Sequence, residues 1–159
     1  MEKPKQHLTR QWLELLDGSL QLGETIELPV LSDSMVPVFG IGRQIKIQRL
    51  SWNACSVGDI IVFRERRSLT AHRLLLAVRL GRRCYFYQKG DANRRGHFIR
   101  ADRVVGRVVE RQDETGSYRT LQSKAARRDG RIMAFKQLFR VVWAYLDLLK
   151  GNRPTANEE

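Results

Sequence analysis

The chain has 159 residues, and its 29 Lys and Arg residues against 17 Asp and Glu residues give a formal net charge of +12. This length suits one domain that buries a core without cross-links. The charge predicts an anionic neighbour, which could be nucleic acid, an acidic lipid surface or an acidic protein. The two cysteines, Cys55 and Cys84, and the three histidines do not form a plausible set of zinc ligands, and no bound cofactor is expected. Two free thiols are expected, although the sequence leaves their pairing open.

The N-terminal segment "MEKPKQHLTRQW" is polar and lacks the apolar stretch of a secretory signal. No apolar run approaches the roughly 18–20 residues of a spanning helix, and no lipidation motif is present. These features predict a cytoplasmic protein, or one bound peripherally at a membrane surface.

The first predicted element is a short amphipathic helix in "QHLTRQWLELLDG", which ends near Gly18. From about Glu24 to Glu110, short runs rich in Val, Ile and Phe recur, mostly separated by glycine-containing turns. These runs are "TIELPVL", "RQIKIQRL", "DIIVFRE", "AHRLLLAVRL", "RCYFYQKG" and "RVVGRVVE". The pattern predicts a mainly β body and excludes an alternating βαβ fold.

A polar stretch follows, which is predicted to be a loop or linker that could include a strand around Tyr118. A second amphipathic helix is predicted over 131–150. The helix has a wide apolar face and a narrow stripe that contains Trp143 and four charged residues. The face is Ile132, Phe135, Phe139, Val142, Leu146 and Leu149, and the charged residues are Lys136, Arg140, Asp147 and Lys150. The predicted organisation is an N-terminal helix and lead-in (1–23), a β-rich domain (24–112), a linker (113–130), the amphipathic helix (131–150) and a disordered tail (151–159).

Three segments carry polar residues that look misplaced in an apolar β body. They are "LSDSMVPVF" with Ser32 and Ser34, "TAHRLLL" with His72, and "KGDAN" with Asp91. A serine hydroxyl needs a neighbouring base to become a nucleophile, and histidine can take and return that proton. A carboxylate can fix the imidazole tautomer. The alternative is that these residues satisfy turn backbone or strand packing.

The order of "SDSMVP", "GDIIVF", "HRLL" and "KGDAN" resembles the signal peptidase I family of membrane-associated serine peptidases, over about residues 28–109. The match is closest to the Ser–His branch, since the more familiar bacterial branch has a lysine where this chain has His72. The resemblance implies a signal-peptidase/LexA-like β-rich catalytic domain. It makes Ser34 the nucleophile, His72 the base and Asp91 the acid that orients it. It also implies that Ser32 and the Ser34 N–H hold the oxyanion.

Two departures from the family pattern affect these assignments. Members usually carry N-terminal membrane spans, which this sequence does not show. Many members of the histidine branch have a second aspartate soon after the "GDAN" motif, where this chain has His97. Asp102 is the other nearby acid, and its spacing fits the pattern poorly.

The substrate implied is a polypeptide that lies extended along a strand edge. One alternative function is a self-cleaving or regulatory domain of the LexA repressor type with a Ser–Lys pair. Another is a non-catalytic basic module that binds nucleic acid or a partner. Nucleic acid is disfavoured because only Phe98 and Tyr118 offer stacking surfaces in the arginine-rich region. The C-terminal helix could lie on an anionic membrane or pack on the β body, and the oligomeric state stays open.

Overall fold

A computed structural model describes residues 21–65 and 68–149, and it shows a mainly β domain with one C-terminal helix. The predicted N-terminal helix and C-terminal tail lie outside these ranges. The elements are β1 Thr25–Pro29, β2 Gln44–Arg49, β3 Ile60–Glu65, β4 Ser68–Leu80, β5 Arg83–Lys89, β6 His97–Arg100, β7 Val104–Gln112, β8 Tyr118–Thr120 and α1 Lys124–Leu149. The predicted mainly β fold class is confirmed.

The strands form an antiparallel sheet in the order β1-β2-β7-β3-β4-β5-β6, with β8 paired to β7. Every one of the six apolar runs contains a strand, and β6 is an addition that the sequence pattern did not indicate. Strand β7 lies between β2 and β3, although it begins 55 residues after the end of β2 and 39 residues after the end of β3. The centre of the sheet therefore forms only when the two halves of the body come together.

The core has two parts because β3 is buried on both faces. Ile60 and Val62 belong to one hydrophobic cluster, whereas Ile61 and Phe63 belong to the other. Successive side chains of a strand point to opposite faces, so a strand covered on both sides needs an unbroken apolar run. This requirement explains the sequence "DIIVF".

Helix α1 begins at Lys124, seven residues before the start predicted from apolar spacing. The hydroxyl oxygen of Ser123 accepts a hydrogen bond from the Ala126 backbone N–H at 3.2 Å, which satisfies a donor of the first turn. The segment predicted as a linker therefore contains β8 and the first turns of α1. The polar sequence "SKAARRDG" gave no apolar periodicity from which to predict those turns.

The helix packs on the body through small and polar residues rather than through its predicted apolar face. Ala134 and Gln137 are buried. A Cβ on Gly130 would lie 2.9 Å from the Gly58 carbonyl oxygen, and one on Gly58 would lie 2.6 Å from the Arg131 backbone nitrogen. The two backbones therefore touch at this point. No helix in the described ranges is long and apolar enough to cross a membrane.

Candidate active site

The serine-bearing loop between β1 and β2 is held in place by its apolar residues. Met35 and Phe39 are buried in the core, while the Asp33 carboxylate accepts a hydrogen bond from the Ile41 backbone N–H at 2.9 Å. With these anchors inside, the hydroxyl oxygens of Ser32 and Ser34 lie 3.2 Å apart on the outer side of the loop. The loop therefore has a defined conformation in which the two hydroxyls are adjacent and accessible.

The turn after β5 contacts this loop directly. The Ala92 backbone N–H donates to the Ser34 carbonyl oxygen at 2.9 Å. A Cβ on Gly90 would lie 2.6 Å from the same oxygen, so a side chain there would displace the loop. The structure thus brings together the "SDSM" and "KGDAN" segments that the sequence singled out.

His72 lies on β4 and is buried, with its ring against Phe63. Its Nδ1 is 2.5 Å from Gln88 Oε1, and its Nε2 is 3.5 Å from the Asn93 amide nitrogen in the turn after β5. Burial lowers the pKa of His72 below its ordinary value of 6.5, and the hydrogen bond with Gln88 offsets part of this effect. The ring is therefore neutral at neutral pH, as a general base must be.

Ser34 and His72 are not hydrogen-bonded to each other in this structure, since the Ser34 hydroxyl pairs with Ser32. The two residues are instead linked through residues 90–93, which contact the Ser34 carbonyl on one side and His72 Nε2 on the other. Catalytic hydrogen bonds are often loose in the absence of substrate. A rotation of the Ser34 side chain away from Ser32 is needed before it can meet the ring.

Asp91 makes no hydrogen bond with His72 in this structure, in contrast to the contact expected from the sequence. Its two carboxylate oxygens accept hydrogen bonds from the Arg73 guanidinium at 2.9 and 2.6 Å, and one also accepts from the Gln137 amide at 2.6 Å. The Asp91 and Arg73 side chains are 3% and 6% exposed. The carboxylate therefore balances a buried charge and joins the sheet to α1. Asp102, the other acid considered, pairs with Arg100 on the surface.

The residue at His72 Nδ1 is Gln88, which the sequence analysis missed. Gln88 is fully buried on β5, and its amide nitrogen lies 2.8 Å from Nε2 of His97. His97 is exposed at the start of β6, and the same Nε2 atom is 3.7 Å from a carboxylate oxygen of Glu65. The sequence did contain a signal for Gln88. In "FYQKG", a polar glutamine stands between two aromatic residues and a lysine, in a strand that otherwise faces the core.

Lys89, the next residue, belongs to the Asp91 network rather than to His72. Its ammonium donates to Gln137 Oε1 at 3.1 Å and to the Gly90 carbonyl at 3.3 Å. Burial lowers the pKa of Lys89, although Asp91 nearby partly offsets this. Neighbouring side chains on a strand face opposite ways, which separates Lys89 and its partners from Gln88 and His72.

A cleft of about 320 Å³ opens beside the two serines. Its lining is mainly apolar, and both Ser32 and Ser34 belong to it. Apolar contributors from the strands include Leu28, Ile45, Ile47, Val62, Leu69 and Ala71. Ala71 lines the cleft whereas its neighbour His72 does not, so the base stands behind the wall of the cleft.

The described part of the chain contains no cluster of three or more His, Cys, Asp or Glu side chains that could hold a metal ion. Cys55 and Cys84 are both free thiols. No protein-family model and no curated protein matches the chain.

Proposed function

We propose that this chain is a serine endopeptidase of the signal peptidase I type, with Ser34 as nucleophile and His72 as base. The observation that carries the proposal is the turn at residues 90–93, which contacts both the Ser34 loop and Nε2 of a buried, neutral histidine. The apolar cleft beside Ser32 and Ser34 supports it, because such a cleft can bind substrate side chains next to the nucleophile.

The proposed reaction begins when the Ser34 side chain turns from Ser32 to His72 Nε2. His72 takes the hydroxyl proton as Ser34 attacks a peptide carbonyl, and it then gives that proton to the leaving amine. The Ser32 hydroxyl and the Ser34 N–H donate to the oxyanion; losing one such donor typically costs about 10²–10³ in rate. Water activated by His72 hydrolyses the acyl-enzyme.

The sheet supports an extended polypeptide as substrate. In the described part of the chain, β1 pairs only with β2, and residues 69–71 of β4 pair only with β3. Both segments also line the cleft, so each presents a free backbone edge near the serines. An extended peptide can add to such an edge through main-chain hydrogen bonds, with alternate side chains entering the cleft.

A histidine base predicts a particular pH dependence. We expect kcat/KM to rise with pH and to reach its plateau with a midpoint below about 6.5, since burial lowers the pKa of His72. Steady-state kinetics on a cleaved peptide between about pH 4 and 10 measure this midpoint. A rise confined to alkaline pH would instead favour a lysine base, and hence the Ser–Lys alternative. His72→Gln should lose activity at every pH.

We also propose that α1 lies on an anionic membrane surface. The face predicted as apolar is exposed within the described part of the chain, since its six residues are between 44% and 71% exposed. The helix carries six Lys and Arg residues against two Asp residues. An interfacial helix places its apolar face at the acyl boundary and its cations near anionic head groups, each worth about 1 kcal/mol. This charge favours a membrane over a second copy of the chain, which would bring like charges together.

Vesicle sedimentation tests the membrane proposal. We expect the protein to bind vesicles of phosphatidylserine and phosphatidylcholine at low salt, to be released at high salt, and to bind phosphatidylcholine alone weakly. Replacing Phe135, Phe139 and Trp143 together by serine should weaken binding about tenfold or more through lost apolar burial. Ala134 and Gln137 remain, so docking of α1 on the sheet is kept.

The matched control replaces Leu22 and Leu80, two exposed leucines outside α1 that are 70% and 64% exposed, by serine. This variant should bind vesicles like the wild type. The proposal fails if neither vesicle type binds, or if the protein forms a dimer that the triple α1 variant abolishes.

A further inference from the structure

Gln88 connects two histidines through the two ends of one amide. Its oxygen faces His72 Nδ1 at 2.5 Å, and its nitrogen faces His97 Nε2 at 2.8 Å. An amide oxygen can only accept a hydrogen bond, while the amide nitrogen can only donate one. With this orientation, His72 must carry its proton on Nδ1 and His97 must present a bare Nε2. A reversed amide would require the opposite arrangement at both rings.

We propose that Gln88 is the positioning residue for the base His72, and that His97 holds the Gln88 amide in the productive orientation. The inference rests on the proposed peptidase function. The hydrogen bond at one ring nitrogen sets the tautomer of the other. Holding the proton on Nδ1 leaves the lone pair of His72 Nε2 on the side of Asn93, next to the turn that contacts the Ser34 loop. Only that tautomer can accept the Ser34 proton.

An amide in this position also leaves the base without an adjacent negative charge at Nδ1. The charged or titratable groups that act on His72 are His97, Glu65 and Asp91, and Asp91 is paired with Arg73. A carboxylate at position 88 would stabilise the imidazolium directly. Gln88 therefore orients the ring, while burial keeps it neutral against the smaller opposing effect of the Gln88 hydrogen bond; a carboxylate in its place would favour the imidazolium more strongly.

The tautomer can be measured without any substrate. Nitrogen-15 NMR of the histidine side chains in the full chain, at about pH 8 where a histidine is neutral, should show His72 protonated at Nδ1 and bare at Nε2. The His72→Gln spectrum assigns the signals. Gln88→Leu should convert this pattern to a mixture that includes the Nε2-protonated form, and His97→Ala should give an intermediate mixture. Gln48→Leu, at a half-buried residue of β2 whose side chain bonds Gly23 and Arg107 rather than a histidine, should change nothing.

The result that overturns the inference is an Nε2-protonated His72 in the wild type, or a pattern that both Gln88→Leu and His97→Ala leave unchanged. Should Gln88→Leu fail to fold, the wild-type and His97→Ala spectra still decide. His97 is exposed, so its replacement leaves the core intact.

Kinetics give the second measurement. Gln88→Leu should lower kcat about 10²-fold with KM within about twofold, since a wrong tautomer is costly whereas substrate contacts are unchanged. Gln88→Glu should restore part of kcat and move the acid limb to higher pH. The two proposals fail separately. Turnover by Ser34→Ala removes the peptidase function, whereas an unchanged kcat and pH profile in active Gln88→Leu and Gln88→Glu removes only the role of Gln88.

Discussion

Replacing Ser34 by alanine is expected to reduce peptide turnover by about four to six orders of magnitude. The loss is large because the hydroxyl that forms the acyl-enzyme in the proposed reaction is gone. The fold should be unaffected. Among the described residues, the Ser34 hydroxyl is hydrogen-bonded to Ser32 alone, on the loop surface, and the loop is anchored by Met35 and Phe39. The thermal midpoint should therefore shift by no more than about 2 °C.

A library of internally quenched peptides measures this turnover, and calorimetry measures the midpoint. The matched control is Ser51→Ala, because Ser51 is exposed and its side chain makes no capping hydrogen bond. That variant should behave like the wild type in both assays. Peptide cleavage at the wild-type rate by Ser34→Ala would rule out the proposed nucleophile.

Replacing Asp91 by alanine is expected to destabilise the protein by about 3–5 kcal/mol, the cost of removing one partner of a buried ion pair. The variant leaves the Arg73 guanidinium buried without its carboxylate, and it also removes the acceptor for the Gln137 amide of α1. Chemical denaturation measures the free energy of unfolding. The midpoint should fall, and the activity per folded molecule should be largely kept.

Asp102→Ala is the control for this prediction. Asp102 also pairs with an arginine, but both side chains are about half exposed, so the pair is worth about 0–1 kcal/mol. A small change in stability with Asp91→Ala, together with lost activity and an altered pH profile, would contradict the structural role. Asp91 would then orient His72 directly, as the sequence predicted.

The strands could be predicted from the sequence because β structure with a buried face leaves a local pattern. The run "DIIVF" is apolar at every position since both faces of β3 are covered. The start of α1 was predicted too late for the opposite reason. Its first turns depend on the cap at Ser123 and on contact with Gly58, and neither produces an apolar stripe.

The candidate site was predictable in its segments but not in its pairings. Ser34, His72 and Asp91 lie in three separate segments, and the structure joins two of them through the turn at residues 90–93. Which polar group reaches the imidazole depends on strand faces and register. Gln88 and Lys89 are neighbours in sequence but belong to different hydrogen-bond networks. The carboxylate of Asp91, two residues after Lys89, pairs with Arg73.

The position of β7 has a consequence for synthesis. Until Val104 and the residues after it emerge from the ribosome, β2 and β3 each lack the strand that will pair with their inner edges. Long-range pairings form slowly, and open apolar edges are places where unfinished chains adhere to one another. Strand β7 closes both edges at once. Aggregation during translation is therefore expected mainly after β3 has emerged from the ribosome and before β7 has emerged.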